Sequence, residues 1–295
     1  MTMHGYAATI GMFDGVHLGH RFVLRQVVEQ AGRRSLQSLC ITFDHSPRRE
    51  QVLTPLAEKL RLIRQTGIDR IEVLPFTPEL KALTAREFMA QVLHDRLGVR
   101  LLLTGYDNRF GHNRSEGFDD YVRYGLELGI DVEALPAEGT VSSSQVRQLL
   151  AAGHVEDAAQ SLGHPYRLSG AVTHGEHLGT RLGFPTANVV PADGRQLIPA
   201  AGVYAVRVMP VATVSDADSA SAPSFKGMMN IGTRPTFGAH PQTLEVHLLD
   251  YHGDLYGQQL TVDFVRRLRP ERSFDSADAL VRQLQQDLID TQQAL

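Results

Sequence analysis

The chain of 295 residues has one cysteine, no tryptophan, no long apolar run and no marked excess of either charge. Each absence excludes something. Cys40 alone cannot close an internal disulfide, which fits a reducing compartment, and a thiolate zinc site lacks its usual ligands. No stretch reaches the roughly 18 apolar residues of a membrane span, and no charged-then-apolar leader opens the chain, so a cytoplasmic protein with no membrane partner is expected. With 29 Lys and Arg against 33 Asp and Glu, the net charge of −4 offers no field for gross nucleic-acid binding. Any nucleotide is therefore expected as a small molecule in a local pocket. Composition sets no oligomeric state.

What is present suits two cores: 42% of the residues are hydrophobic and 21% charged. In the first part, strand-like runs (Tyr6 to Ile10, Leu39 to Phe43, Ile71 to Leu74, Leu101 to Thr104, Val132 to Leu135) alternate with helical patterns (Leu56 to Gln65, Ala85 to Leu97, Tyr121 to Leu128). That alternation predicts a parallel, doubly wound α/β sheet. A helix pair follows, Ser143 to Ala151 and Val155 to Leu162, closed by Gly163-His164-Pro165. Beyond it come short alternating strands at Tyr166 to Val172, Gly202 to Val208, Lys226 to Ile231, Leu244 to Leu249 and Gln259 to Leu268, with dense Gly and Pro turns. They predict a small antiparallel β-barrel or sandwich. Residues Val214 to Ser224 read as a flexible hairpin tip, and Leu280, Val281, Leu284 and Leu288 as the apolar stripe of a C-terminal helix lying on the barrel. The expected domains are 1–164 and 165–295.

The densest chemistry is Gly11-Met12-Phe13-Asp14-Gly15-Val16-His17-Leu18-Gly19-His20, between the first strand and a helical pattern at Phe22-Val23-Leu24 and Val27-Val28. A strand-to-helix turn in an open α/β sheet lies at the carboxyl ends of the strands, where free N–H groups attract phosphate. His17 and His20 share a face of the first helical turn, and Gly15 and Gly19 keep the backbone clear. The turn reads as a nucleotide-phosphate site. Gly105-Tyr106-Asp107-Asn108-Arg109-Phe110-Gly111 follows another strand and reaches the same sheet edge if both strands are parallel. Val141-Ser142-Ser143-Ser144-Gln145-Val146-Arg147 sets hydroxyls at a helix start with an arginine one turn on, a cradle for phosphate oxygens that helix capping alone would also explain. Phe43-Asp44-His45-Ser46-Pro47-Arg48 ends a further strand, as a phosphate or flavin contact or as an ordinary loop.

In the second part, Gly183-Phe184-Pro185-Thr186-Ala187-Asn188 projects Thr186 and Asn188 to one side of an extended segment. Hydroxyl and amide oxygens suit Mg²⁺, which takes its remaining ligands from water and substrate phosphates. In Leu244-Glu245-Val246-His247-Leu248, Glu245 points away from the apolar face, as a base or as a solvated strand position. Arg266, Arg267, Arg269 and Arg272 read as solvated surface.

These motifs together resemble the prokaryotic bifunctional riboflavin kinase and FAD synthetase family over nearly the whole chain. The histidine turn alone would fit any member of the wider nucleotidyltransferase superfamily. The order of the turn, the Gly105 loop, Ser142 to Arg147, Gly183 to Asn188 and Leu-Glu-Val-His is specific. The resemblance implies an N-terminal Rossmann-like FMN adenylyltransferase and a C-terminal riboflavin kinase barrel, making FMN from riboflavin and then FAD from FMN with ATP spent at each step and Mg²⁺ as cofactor. It assigns adenylyl transfer to His17, His20 and Arg147, and the kinase base to Glu245. ATP and flavin contacts fall to Gly11, Phe13, Asp14, Gly15, Gly19, Asp107, Arg109, Phe110, Ser142, Ser143, Ser144, Gly183 and Pro185. The Mg²⁺ oxygens come from Thr186 and Asn188. Three positions depart from the family pattern: Ser46 stands for a common histidine, Thr180-Arg181 moves an arginine by one, and Asn108 replaces a common aromatic. A chain with one live site and a non-catalytic flavin or nucleotide sensor remain alternatives. A class I aminoacyl-tRNA synthetase is disfavoured, because no Lys-Met-Ser-Lys-Ser-like loop occurs.

Overall fold

The alternating first half folds around a parallel sheet of β1 (Tyr6–Ile10), β2 (Gln37–Phe43), β3 (Arg70–Leu74), β4 (Val99–Gly105) and β5 (Asp131–Leu135), in the order β3-β2-β1-β4-β5. The computed structural model describes residues 5–45, 51–105, 108–112, 114–136, 141–174, 183–210, 223–232 and 242–295. Packing divides it into two units, Met1–Ser143 and Ser144–Leu295. In the first, the central strands are apolar on both faces because helices cover both. Ala7 and Cys40 join Leu24, Val27, Leu62 and Ile63 on one side, while Ala8, Leu39 and Ile41 join Met89, Leu93 and Tyr121 on the other. Each leucine-sized side chain so buried stabilises the unit by about 1.5–3 kcal/mol. The chain runs outward from β1 through β2 to β3, then crosses back to β4 on β1's other flank. That reversal opens a crevice at the carboxyl ends of β1 and β4.

Helices α1 (Leu18–Arg33), α2 (Leu56–Arg64), α3 (Pro78–Ala82) and α5 (Phe118–Leu128) surround the sheet. The helix expected over Ala85 to Leu97 begins as α4 (Ala85–Glu87) behind a Thr84–Glu87 capping box, then widens into a π-helix over Phe88–Arg96. Phe88, Met89, Val92 and Leu93 are its buried face. Its end is marked by an i→i−5 bond from Leu97 N to Val92 O, 3.0 Å.

In the second unit, β6 (Tyr166–Thr173), β7 (Ala187–Pro191), β8 (Gly202–Pro210), β9 (Phe225–Gly232), β10 (Thr243–Leu248) and β11 (Gln259–Arg269) close a barrel in the order β10-β7-β6-β11-β8-β9, with every pairing antiparallel. The ring is a barrel and not a sandwich; the short β7, which carries Asn188, bridges β6 and β10. Helices α6 (Ser143–Ala152) and α7 (Val155–Leu162) pack with the barrel: Val155, Ala158 and Leu162 are buried, and α7 lies against β6 and β11. The packing boundary thus precedes the helix pair, whereas the sequence division falls after it. The C-terminal helix α8 (Ala277–Ala294) does lie on β8, β9 and β11. Its leucines are only half-buried; the fully buried positions are Asp287 and Thr291. Asp287 receives two prongs of Arg269, at 2.7–3.0 Å, so that arginine is a structural cation and not the solvated surface expected. Arg267 likewise binds the Ala152 and Ala201 carbonyls. Most of the Val214 to Ser224 segment lies outside the described residues.

Candidate active sites

The turn after β1 is held in an uncommon conformation. Gly15 has φ +86°, which glycine adopts freely, but Phe13 at +49° and the β-branched Val16 at +40° do not. Such residues cost about 1–3 kcal/mol each and persist only where the surroundings fix them. Here the fixing groups are visible. Gly11 N donates to Ile41 O at 3.0 Å, Thr42 Oγ1 to Met12 O at 3.2 Å and Val16 N to Phe13 O at 3.1 Å. The Asp14 carboxylate accepts from Leu53 N and Thr54 N at 2.9 and 3.1 Å, so it braces the neighbouring loop. Ser143 Oγ donates to Asp14 O at 2.9 Å, joining the serine motif to the turn.

His17 is the N-cap of α1. Its Nδ1 accepts from His20 N at 3.3 Å, which leaves the ring proton on Nε2. The two imidazoles stack at 3.6 Å with 19° between planes, and Phe13 meets His20 edge-on at 5.2 Å. Burial pushes the His17 pKa down to about 4. His20 is held well below the usual imidazole range, by burial first and then by the charges of His17 and Lys59. Its Nδ1 is buried with no hydrogen-bond partner among the described residues. Both rings are therefore neutral at physiological pH and act as N–H donors or dipoles, not as cations. Sequence reasoning brought the pair together without revealing this.

Beside the turn, a cavity of about 400 Å³ opens at the same carboxyl edge, lined by Ile10 at the end of β1, Gly11 and Met12 after it, Phe43 at the end of β2, and Phe76, Phe88, Asn108, Arg109 and Phe110. Phe110 is set by stacking on Tyr121 at 4.1 Å and by donating its N–H to the Tyr121 hydroxyl at 3.0 Å. Asn108, at the family's common aromatic position, donates its side-chain amide to Ile10 O (3.2 Å) and Thr104 Oγ1 (3.1 Å), tying β1 to β4 across the crevice. The Arg109 guanidinium lies over Gly117, where any Cβ would clash with it. Asp107 and Ser46, like Thr180 and Arg181, fall outside the described residues. Arg147 lies on α6, in the second packing unit.

On the barrel, strand alternation does the positioning. Leu244, Val246 and Leu248 point into the core, while Thr243, Glu245 and His247 lie on the other face of β10. Glu245 is in register with Asn188 on β7 and with Asn230 on β9, and Asn188 in turn with Thr173 on β6. Directly opposed residues have Cβ atoms about 4.5–5.5 Å apart, so a carboxylate and an amide oxygen converge on one patch. Thr186 shares the face of Asn188, since Ala187 and Val189 between and beyond them are buried. His247 adds a link that the sequence did not reveal: its Nδ1 is 2.8 Å from Pro185 O and its ring meets Phe184 edge-on, which ties the Thr186 segment to the strand of Glu245. Asn230 was also missed, because register across strands is not written in either strand.

Two clusters of candidate site residues, one on a Rossmann-like sheet and one on a closed barrel, fit the frame of a bifunctional transferase. The comparisons give the class its particular form. A FAD synthetase family model matches residues 1–147 and a riboflavin kinase model residues 162–295. The bifunctional riboflavin kinase/FMN adenylyltransferase of Escherichia coli K12 is 40% identical over 294 residues, covering 96% of this chain and 90% of that protein. Its counterpart from Pseudomonas fluorescens is 40% identical over 295 residues, covering 96% and 91%. The chain belongs to the bifunctional riboflavin kinase and FMN adenylyltransferase family. A solved Streptococcus pneumoniae structure titled as a macrolide-efflux protein superposes with a TM-score of 0.86 at 29% identity, covering 98% of this chain and 94% of that one. What the two share is the fold. Among the described residues, no helix of this chain is long and apolar enough to cross a membrane.

Proposed function

We propose that the barrel unit phosphorylates riboflavin to FMN and that the sheet unit joins FMN to the adenylyl group of ATP, giving FAD and pyrophosphate. The observation that carries this division of labour is the β7–β10 register, which sets Asn188 opposite Glu245 in a unit separate from the stacked histidines. In the kinase step a ribityl hydroxyl, a poor acid, attacks the γ-phosphorus. Glu245 accepts its proton as the new O–P bond forms, and ADP leaves. Thr186 and Asn188 supply hard oxygen donors for a Mg²⁺ arriving with ATP, which would draw charge from the phosphates. Among the described residues no cluster of three His, Cys, Asp or Glu competes as a resident metal cage. Gly183 and Pro185 shape the segment that approaches the nucleotide.

In the adenylyl step the FMN phosphate is already ionised and needs no base. Its oxygen bonds to the α-phosphorus, the bond to the β-phosphate breaks, and the site's task is alignment and charge stabilisation. His17 offers Nε2–H to a phosphate oxygen and the start of α1 adds free N–H groups, while the family resemblance assigns charge and hydroxyls to Arg147, Ser142, Ser143 and Ser144. Gly11, Gly15 and Gly19 leave room for the nucleotide. Phe13 and Asp14 act by packing and bracing the turn, Arg109 and Phe110 line the flavin cavity, and Asp107 is an ATP or flavin contact by the family resemblance alone. The aromatic cavity is of a size and character that suits an isoalloxazine ring. The cytoplasmic location expected from the sequence is part of this reading, as is the absence of a nucleic-acid partner. A chromatographic time course with ATP and Mg²⁺, started from riboflavin in one vessel and from FMN in another, tests it. Successive FMN and FAD in the first and direct FAD in the second are expected. FMN as the sole product of the first would remove the adenylyl assignment, and no product from riboflavin would remove the kinase assignment.

A further inference from the structure

The neutral histidines bring no positive charge of their own to the turn, and a buried cation is bonded to its backbone. Lys59, on α2, is 5% exposed. Its Nζ donates to Phe43 O at 2.8 Å and to Met12 O at 3.3 Å, so one ammonium ties together the chain ends after β1 and β2. The Met12 carbonyl also receives Thr42 Oγ1 and directly precedes the strained Phe13. Among the described residues Lys59 forms no ion pair, and the carboxylates that act on it from a distance, Asp14 and Asp44, are engaged by backbone N–H groups. An ammonium taken out of water without a bonded counter-ion is costly, and a structure that keeps one gains when an anion arrives nearby. Burial lowers the Lys59 pKa, while Asp14, Cys40 and Asp44 act in the other direction.

We propose that Lys59 is a positioning residue for adenylyl transfer, fixing the Met12 and Phe43 carbonyls so that the Gly11–Gly15 turn keeps its strained shape, and holding beneath it a positive charge that the nucleotide phosphates complete. The proposal rests on the reading of the turn as the adenylyl site. It assigns a role to a lysine whose sequence context, one charged residue in an amphipathic helix, gives no hint of it.

The test uses the full chain, with Lys59→Met, Lys59→Arg and His20→Ala assayed side by side for both reactions, and thermal unfolding followed with and without inorganic pyrophosphate as the probe. Methionine keeps the stem's volume and loses the charge and the donors. For Lys59→Met, kcat/KM for FAD formation from FMN should fall about 10²-fold, the size of effect that small misalignment produces. The KM for ATP should rise, the stabilisation by pyrophosphate should disappear, and riboflavin phosphorylation should continue at the wild-type rate. Lys59→Arg should recover most of the loss. A Lys59→Met chain that makes FAD within about threefold of wild type with an unchanged KM overturns the proposal. So does a first unit that melts below the assay temperature in Lys59→Met and Lys59→Arg alike, which would make Lys59 a folding residue only. Wild-type FAD formation by His20→Ala would instead sink the turn as the adenylyl site, and with it the premise.

Discussion

The two candidate sites are built by opposite means. On the barrel, the candidate side chains come from strand alternation and register: Glu245, Asn188 and Asn230 lie in a row because their neighbours are core residues. In the sheet unit they come from a turn with two non-glycine residues at positive φ, a stacked histidine pair and a buried lysine. The first site is a surface decorated on a stable frame; the second is a conformation that its frame must hold. Substitutions on the barrel face should therefore change chemistry with little effect on folding. Those around the turn should couple chemistry to local structure.

The sharpest separation comes from Glu245→Gln. Loss of the base should lower riboflavin phosphorylation by ~10²–10⁴-fold, with FAD formation from FMN untouched when both products are followed by chromatography. Next, His20→Ala should lower FAD formation by ~10²–10³-fold through loss of the ring that holds His17 in place, with the kinase step retained. Equal loss of both activities in either variant would merge the sites that the comparison keeps apart. The remaining effects are on stability. Asp287→Ala strands Arg269, which is mostly buried, and should destabilise the barrel unit by about 3–5 kcal/mol in denaturant titration.

The pH response should then distinguish the sheet unit. Because the folded-state pKa of His17 lies at about 4, below the ordinary 6.5, the unfolded chain binds the proton more readily. The stabilisation is present above pH 6.5 and is lost as the pH falls toward 4, a displacement worth about 3 kcal/mol. Thermal unfolding between pH 7 and pH 4.5 should show that loss in the wild type, and His17→Asn should make it smaller without abolishing it, because the buried His20 adds a loss of the same sign. The smallest effect is expected for His247→Ala. Freeing Pro185 O should raise the KM for MgATP in the kinase step several-fold, below the ~10–100-fold that lost supporting contacts of a metal ligand cost, and His247→Asn, which keeps a donor, should restore it.

The same contrast decides what was legible in the sequence. Period-2 alternation identified Glu245 and paired Thr186 with Asn188, since a residue's face on a strand follows from its neighbours. The strand Tyr6–Ile10 and the histidine spacing identified the turn. Asn230 and His247 escaped because their roles depend on which strands lie side by side. Lys59 escaped because a lysine in an amphipathic helix reads as solvated until β1 and β2 close over it. The neutrality of His17 and His20 is likewise a product of burial and not of spacing. Asp287 interrupts an apolar helix stripe and is buried only because Arg269 reaches it from β11. The leucine stripe correctly located the helix on the barrel but not the residues that anchor it.

Complementation between two variants tests the central claim of two separate active sites most directly. Neither Glu245→Gln nor His20→Ala should convert riboflavin to FAD at an appreciable rate alone. Mixed in equal amounts with ATP and Mg²⁺, they should restore it, His20→Ala releasing FMN that Glu245→Gln adenylylates. Accumulation of FMN in the mixture without FAD, or wild-type FAD production by either variant alone, would contradict the account.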